Sequence, residues 1–537
     1  MRAALGRNVL ANLVNVAASI GASIVSLPLI LDKIGTAGYG VWTIALTFII
    51  YLTGAEAGFG PAAQRWVSVS HGGGVAEGIR RVLWTSLLLY TAAGAVVLLV
   101  MTAVAQDIVD LFDFPQRFQD DAVTMFRIVG VVMALALIAA ALGNVLQGVE
   151  RFVETAASSA VGSVVYLVAI VAFLGGDHPL VVLASAAAAQ QLVTVALRAG
   201  ALRGLFLRGR PILLAKSEWR ELLGFSARLQ VGVLSGLVNS QSDKVVVGLV
   251  SKASTLGQLG IATQFADAGR LVAGSALIPI NTSLAVAVGA GDRERVHAQF
   301  AWVHRVWQIV ILGATAVGGA ALYPLIAGWL GPGHGEAAVL GAFLVVGTGF
   351  GLLSGSGAAY LRAVGRPGLE GLYGVVVVAL NLVFTVPLAL VAGAHGVVAG
   401  TLLAYVIGVA WFMRRFWRAA PELPHLSPAA LARPLALALA AGVVTAVLSV
   451  GAVELLPHAA SLVVTIPTAL AAFAIYLASA TGTPLRVRSF LDLIQGLMPG
   501  ERRGAAPGDE REPGASDVAP GGGLVRPGAV EQDDPRG

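Results

Sequence analysis

The chain has 537 residues, of which 57% are hydrophobic and 12% charged, with a mean hydropathy of +0.81. Soluble domains carry roughly 25% charged residues, so a soluble globular protein is excluded and an all-α, polytopic membrane protein is expected. The lack of cysteine excludes disulfides, thiol catalysis and thiolate metal sites.

Windows of about 20 apolar residues predict fourteen spans, near 8–31, 38–58, 82–105, 122–146, 155–175, 180–200, 224–249, 258–287, 306–327, 337–361, 370–391, 396–413, 435–453 and 460–479. The first apolar run is too long for a secretory h-region and lacks a cleavage pattern, so it reads as a spanning helix. Lys and Arg set the orientation. The N-terminus, the C-terminal tail and every second loop hold 28 of the 35 basic residues, six of them between Arg198 and Arg220. The alternate loops hold only Lys33, Arg117 and Lys252, and four more basic residues lie within spans. Positive residues stay inside, which predicts a multi-pass protein of the plasma membrane with both termini cytoplasmic. The net charge of +5 therefore sits in cytoplasmic loops, and no nucleic-acid partner is expected.

The chain repeats itself at an interval near 217 residues. Lys33-Ile34-Gly35-Thr36-Ala37-Gly38 matches Lys252-Ala253-Ser254-Thr255-Leu256-Gly257, Pro61 matches Pro279, and Leu146-Gln147-Gly148-Val149-Glu150-Arg151 matches Leu361-Arg362-Ala363-Val364-Gly365-Arg366, at offsets of 219, 218 and 215. Six spans separate the copies, so the halves share one orientation, as two parallel six-helix lobes related by an axis along the membrane normal. The expected organisation is an N-lobe over 1–205 (spans 1–6), a C-lobe over 206–420 (spans 7–12), two extra C-terminal helices over 421–498 (spans 13 and 14), and a disordered cytoplasmic tail over 499–537, rich in Gly, Pro and mixed charge.

Two spans carry charges where a membrane helix normally carries none. Span 7 holds Asp243 and Lys244; span 8 holds Asp267 and Arg270. Each costs about 2.5–3.5 kcal/mol at mid-bilayer on insertion scales, so such groups pair, line a wet cavity or touch substrate. On span 7, Arg228, Ser235, Asn239 and Ser242 fall at i, i+7, i+11 and i+14, and Asp243 lies one turn beyond Asn239. On span 8, Thr263, Asp267, Arg270 and Gly274 fall at i, i+4, i+7 and i+11. Span 1 carries a neutral stripe, Asn8, Asn12, Asn15, Ser19 and Ser26, whose Asn8, Asn15 and Ser19 correspond to Arg228, Ser235 and Asn239 in the second half. Asn and Ser can simply bond neighbouring helices, at about 0.6 kcal/mol apiece. Two matching stripes predict the walls of a central cavity.

Arg270 lies about 18 Å along its helix at 1.5 Å per residue, near the middle of a ~30 Å hydrocarbon core. Its planar fork suits phosphate oxygens, which makes it the expected contact for an anionic headgroup. The competing reading is an intrahelical pair with Asp267 at i+3. Asp243, near the outer end of its helix, and Lys244 are expected as an outer gate or structural pair, and Glu56 with Arg65 at the inner end of span 2 as a gating or surface pair. The eight histidines show no i, i+4 pairing, and no G-x-x-x-x-G-K-[ST] loop occurs, so neither a metal site nor ATP hydrolysis is expected. The residues describe a carrier, not an enzyme.

Several stretches resemble the polysaccharide and oligosaccharide flippases of the multidrug/oligosaccharidyl-lipid/polysaccharide (MOP, MATE-like) exporter superfamily, Wzx-type membrane proteins of polysaccharide biosynthesis. Gly35-Thr36-Ala37-Gly38-Tyr39-Gly40-Val41 looks like the family's Gly-x-x-x-Tyr-Gly turn. Gly54-Ala55-Glu56-Ala57-Gly58-Phe59-Gly60 is similar to the glycine-rich end of its second helix. Leu146-Gln147-Gly148 with Arg151, and Asp243 with the turn over 252–260, also fit, although Leu259-Gly260 stands in place of Tyr-Gly. The resemblance covers about 12–480. It implies an alternating-access exporter that moves a polyprenyl-diphosphate-linked oligosaccharide from the inner to the outer leaflet for cell-surface polysaccharide synthesis. The partners implied are the lipid-linked oligosaccharide, membrane lipids, a polysaccharide polymerase and glycosyltransferases. In similar lipid II flippases the last two helices extend a groove for the lipid tail. No cofactor is expected. Moving two negative charges out of a negative interior gains about 4.6 kcal/mol per 100 mV, from 2.3 per charge, which suffices for a uniport. H⁺ or Na⁺ coupling through Asp243, Asp267 or Glu56 is the alternative. The competing functions are an ion-coupled multidrug antiporter of the same superfamily and a non-transporting membrane scaffold of an envelope-synthesis complex.

Overall fold

A computed structural model describes residues 2–56, 59–72, 75–207, 211–289, 293–366, 368–423 and 428–482; the tail over 499–537 lies outside the described residues. The elements are α1 (Arg2–Glu56), α2 (Phe59–Gly72), α3 (Ala76–Leu111), α4 (Gln116–Gly148), α5 (Phe152–Phe173), α6 (Pro179–Ala201), α7 (Arg203–Leu207), α8 (Lys216–Val250), α9 (Ala253–Gly289), α10 (Arg293–Leu330), α11 (Gly335–Leu352), α12 (Gly355–Ala363), α13 (Gly368–Ala419), α14 (Pro428–Leu455) and α15 (His458–Thr481). No strand occurs among the described residues, and ten helical stretches there are long and apolar enough to cross a membrane. Two of these contain two spans each. α1 breaks at Gly35 (φ 64) between spans 1 and 2, and α13 breaks at Ala392 and Gly393 (φ 55) between spans 11 and 12. α8 and α9 carry spans 7 and 8, so every predicted window falls on a helix.

The helices pack in two groups. In the first, α4 packs on α3 and α6, α5 on α6, and α1 on α5; in the second, α8 packs on α13, α9 on α11, and α11 on α10 and α13. α14 and α15 pack on each other and on α10, outside the repeat. The lobes meet where α1 lies against α8 and α9.

The repeat is visible atom by atom. After span 4, Arg151 N donates to Leu146 O at 2.8 Å and Glu150 N to Gln147 O at 3.0 Å; after span 10, Arg366 N donates to Leu361 O at 2.8 Å and Gly365 N to Arg362 O at 3.2 Å. Both are the 6→1 and 5→2 bonds of a Schellman helix end, and both place the residue before the arginine at positive φ, 61° at Glu150 and 74° at Gly365.

The apolar core has a polarity along the bundle. Among the described residues, one buried cluster runs through both lobes at the end of the Lys33 and Lys252 turns, from Ile34, Val109 and Phe114 to Leu256, Ile326 and Val397. At the opposite end each lobe has its own cluster, around Phe59, Leu83 and Leu142 in the N-lobe and around Phe300, Tyr360 and Phe416 in the C-lobe. Among the described residues the buried apolar core is continuous across the lobes at one end and divided into two clusters at the other, where Arg81 of α3 still reaches Glu218 of α8 at 3.5 Å.

Candidate functional site

On α9, Asp267 and Arg270 form an i, i+3 ion pair, Arg270 Nη2 to Asp267 Oδ1 at 3.5 Å, with side chains 45% and 38% exposed. Such a half-exposed, long pair holds its partners weakly, and Arg270 Nε is buried without a hydrogen-bond partner. Asp267 lines a cavity of about 340 Å³ that runs between α1 and α9, bounded by Ser23, Ile24, Phe265, Leu271 and Trp329. Its walls are apolar apart from Ser23, Gln264 and Asp267, and Ile24 and Leu271 on its rim are exposed large hydrophobics. The cavity is an apolar opening whose one charged lining residue, among the described residues, is Asp267.

On α8 the two neighbouring charges point different ways. Asp243, 4% exposed, turns into the C-lobe. Its Oδ2 accepts from Thr401 Oγ1 at 2.8 Å, Thr401 Oγ1 accepts from Asn381 Nδ2 at 2.9 Å, and Asn381 Oδ1 accepts from Ser242 and Thr385 hydroxyls at 3.4 Å each. Oδ1 of Asp243 has no partner. Lys244, 5% exposed, donates instead to Gln241 Oε1 at 3.0 Å on its own helix. A helix turns by about 100° per residue, so adjacent residues face different neighbours, and Asp243 and Lys244 form no ion pair. Asn239 donates to Tyr405 Oη at 2.6 Å. The side chains of Arg228 and Ser235 on α8, and of Asn12 and Asn15 on α1, lie outside the described residues.

In the N-lobe, Glu56 is gathered into a network of its own. Its Oε1 accepts from Tyr90 Oη at 2.7 Å and from Asn144 Nδ2 at 2.9 Å, which ties span 2 to α3 and α4. Arg65 lies exposed on α2.

Sequence reasoning passed over the residues that complete these sites. Asn381 is a lone amide in an apolar window, a signal of the same kind as Asn239, and Asn144 is another. Tyr39, the tyrosine of the Gly-x-x-x-Tyr-Gly turn, accepts from Gln264 Nε2 at 2.7 Å across the lobe boundary. A fourth is Arg198, whose guanidinium donates to Ala139 O at 2.7 Å, Ser159 Oγ at 2.9 Å and Ser158 Oγ at 3.0 Å.

The family described as "Polysaccharide biosynthesis protein" matches residues 5–284, more than half of the chain. The chain belongs to that family. Among solved structures, this family member is similar to "Lipid II flippase MurJ, inward closed conformation", with a TM-score of 0.66 at 12% identity over 89% of this chain and 99% of that one. It is also similar to an inward-facing multidrug resistance MATE family transporter of the MOP superfamily, with a TM-score of 0.63 at 16% identity over 75% of this chain and 96% of that one. An outward-facing structure described in the same words gives a TM-score of 0.55 at 14% identity, over 78% and 96% of the two chains. No curated protein matches the chain. At these identities the likeness shows a shared fold.

Proposed function

We propose that this family member flips a polyprenyl-diphosphate-linked oligosaccharide from the inner to the outer leaflet of the plasma membrane by alternating access, for cell-surface polysaccharide synthesis. The observation that carries the reading is the Asp267–Arg270 pair beside a cavity that runs sideways between α1 and α9. A lipid-linked substrate needs that shape, because its headgroup must enter a polar space while its tail stays in hydrocarbon. Arg270 can release Asp267 at little cost and offer two N–H groups to a diphosphate oxygen pair. The divided core at the end opposite the Lys33 and Lys252 turns is what an inward-open carrier requires, with the termini and the basic loops on the cytoplasmic side.

Coupling is assigned to Asp243. A buried carboxylate bonded to Thr401 Oγ1 at 2.8 Å, with Asn381 joined to Thr401 at 2.9 Å and to Ser242 and Thr385 only by long 3.4 Å contacts, supplies oxygen donors of the kind a hard monovalent cation takes. Sodium bound there would act as a coupling ion alongside the membrane potential. A multidrug antiporter shares the fold; the cavity itself is lined by Asp267, and it is Arg270, paired to Asp267 one turn along α9, that favours an anionic lipid.

The test is flipping of a fluorescent lipid diphosphate sugar in liposomes. Arg270→Ala should lower the rate at least about 100-fold, the loss of two charge-assisted hydrogen bonds, while the protein elutes as one species. Wild-type flipping by that variant would overturn the assignment.

A further inference from the structure

A second cavity, of about 300 Å³, lies inside the N-lobe between α1, α4, α5, α6 and α9. Its polar lining is neutral and includes the hydroxyls of Ser23, Ser163 and Tyr166 and the amides of Gln190, Gln191 and Gln264. None of its described lining residues is Asp, Glu, Lys, Arg or His. It adjoins the sideways opening, since Ser23 and Gln264 line both. Gln264 donates to Tyr39 Oη at 2.7 Å and is thereby held. Among the described residues, the side chains of Ser23, Ser163, Tyr166, Gln190 and Gln191 carry no hydrogen bond.

Unpaired amides and hydroxyls in a membrane interior are costly unless something wet or polar satisfies them. Gln190 and Gln191 each present both a donor pair and an acceptor, the complement of a sugar ring, whose every hydroxyl donates and accepts. An organic cation would call for a carboxylate, and an anion for a cation; this cavity offers neither. The tryptophan beside it, Trp42, is 2% exposed and forms part of its wall. The volume equals that of about ten waters at ~30 Å³ each, room for a single sugar ring rather than a chain.

The geometry points to a sugar subsite here: Gln190, Gln191, Tyr166 and Ser163 bind the hydroxyls of the ring nearest the diphosphate, while Arg270, the ion-pair partner of the Asp267 that lines the adjoining cavity, holds the diphosphate itself. This rests on the flippase reading and adds to it a division of labour, with the charge read by the C-lobe and the ring by the N-lobe.

Binding to the full-length protein in nanodiscs separates the two claims. The probes are farnesyl diphosphate and its glucosyl, galactosyl and N-acetylglucosaminyl forms. In the wild type at least one sugar-bearing probe should bind about tenfold or more tightly than the bare diphosphate, the worth of one or two net hydrogen bonds. Gln190→Leu/Gln191→Leu should erase that increment and leave the affinity for farnesyl diphosphate unchanged, which also shows that the variant is folded. An increment that survives in the double variant, or no increment for any of the three sugars in the wild type, overturns the subsite and leaves the flippase reading standing. Failure of the wild type to bind any of the four probes overturns both.

Discussion

Gly40 and Gly257 face each other across the lobe boundary as near mirror partners. A Cβ on Gly40 would lie 1.9 Å from Ala253 O, and one on Gly257 would lie 2.0 Å from Thr36 O. Residues 40 and 257, like 36 and 253, are 217 positions apart, so the two contacts are reciprocal, in a register two residues short of the 219 of the matched hexapeptides. The start of span 2 and the start of α9 therefore touch backbone to backbone, three residues before Thr43 meets Gly260. This contact seals the end of the bundle where the core is continuous, and only glycine allows it.

A methyl group at either position should force the lobes apart at that end. Gly40→Ala or Gly257→Ala is expected to shift the protein toward an outward-open state and to slow flipping. The chain is naturally free of cysteine, so Thr43→Cys, at a residue 2% exposed in the sealed state, supplies a single reporter. Its labelling by a membrane-impermeant maleimide should be slow alone and several-fold faster combined with Gly40→Ala. Equal rates would show that the glycines do not form the seal.

The paired Schellman turns give a stability prediction. Gly365 holds its positive φ without a Cβ, whereas Glu150, exposed and in no ion pair among the described residues, holds the same conformation with one. A non-glycine residue in the left-handed region costs about 1–2 kcal/mol, offset in part by glycine's greater chain entropy. Glu150→Gly should thus stabilise the protein by up to about 1 kcal/mol, read as a higher apparent Tm, and Gly365→Glu should lower it.

The fold was legible because its signals are one-dimensional. Apolar windows located all fourteen spans, and the matched hexapeptides 215–219 residues apart located two structural copies. The sites were legible only in part. Asp243 could be singled out as a buried charge, but Thr401 lies 158 positions away, in a span over 396–413 with no charge to draw attention to it. Gln190 and Gln191 look like ordinary polar positions until the fold encloses them. The periodicity of one helix names a face; what that face meets depends on the others.

Sodium supplies the check on Asp243. A ligand at 100 times its Kd stabilises the folded state by about 2.7 kcal/mol, so the wild type should gain apparent Tm in sodium chloride relative to choline chloride. Asp243→Asn, which keeps an acceptor for Thr401 but loses the charge, should abolish the gain. Flipping in liposomes clamped at zero potential with an inward sodium gradient should persist in the wild type and fall in Asp243→Asn. A sodium response identical in both would remove Asp243 from coupling.

Glu56 makes a different claim, about the rigidity of the N-lobe. Tyr90 and Asn144 both donate to one carboxylate oxygen, and hydrogen bonds to a charged group are worth about 1.5–3 kcal/mol. Tyr90→Phe should lower stability by that amount. Glu56→Gln should cost less, because an amide oxygen still accepts both bonds. If Glu56→Gln were instead the more damaging change for flipping at unchanged apparent Tm, the carboxylate would have a role in transport beyond holding α3 and α4.

One of the contacts that anchor spans 13 and 14 to α10 is a hydrogen bond. Tyr476, 2% exposed, donates from Oη to Ile309 O at 2.8 Å, and its ring packs with Phe473 in a cluster with Ala438. The Gly313 position on α10 leaves room for that ring, since a Cβ there would lie 2.1 Å from it. Tyr476→Ala removes the ring and strands the Ile309 carbonyl, a change expected to cost about 3 kcal/mol. Because these two helices lie outside the repeat, the loss should loosen their packing on α10 without disturbing the Gly40–Gly257 seal. In the Thr43→Cys assay the labelling rate should then stay at its wild-type value while protease sensitivity between α14 and α15 rises. Faster labelling at Thr43→Cys would mean instead that the extra pair of helices helps to hold the two lobes closed.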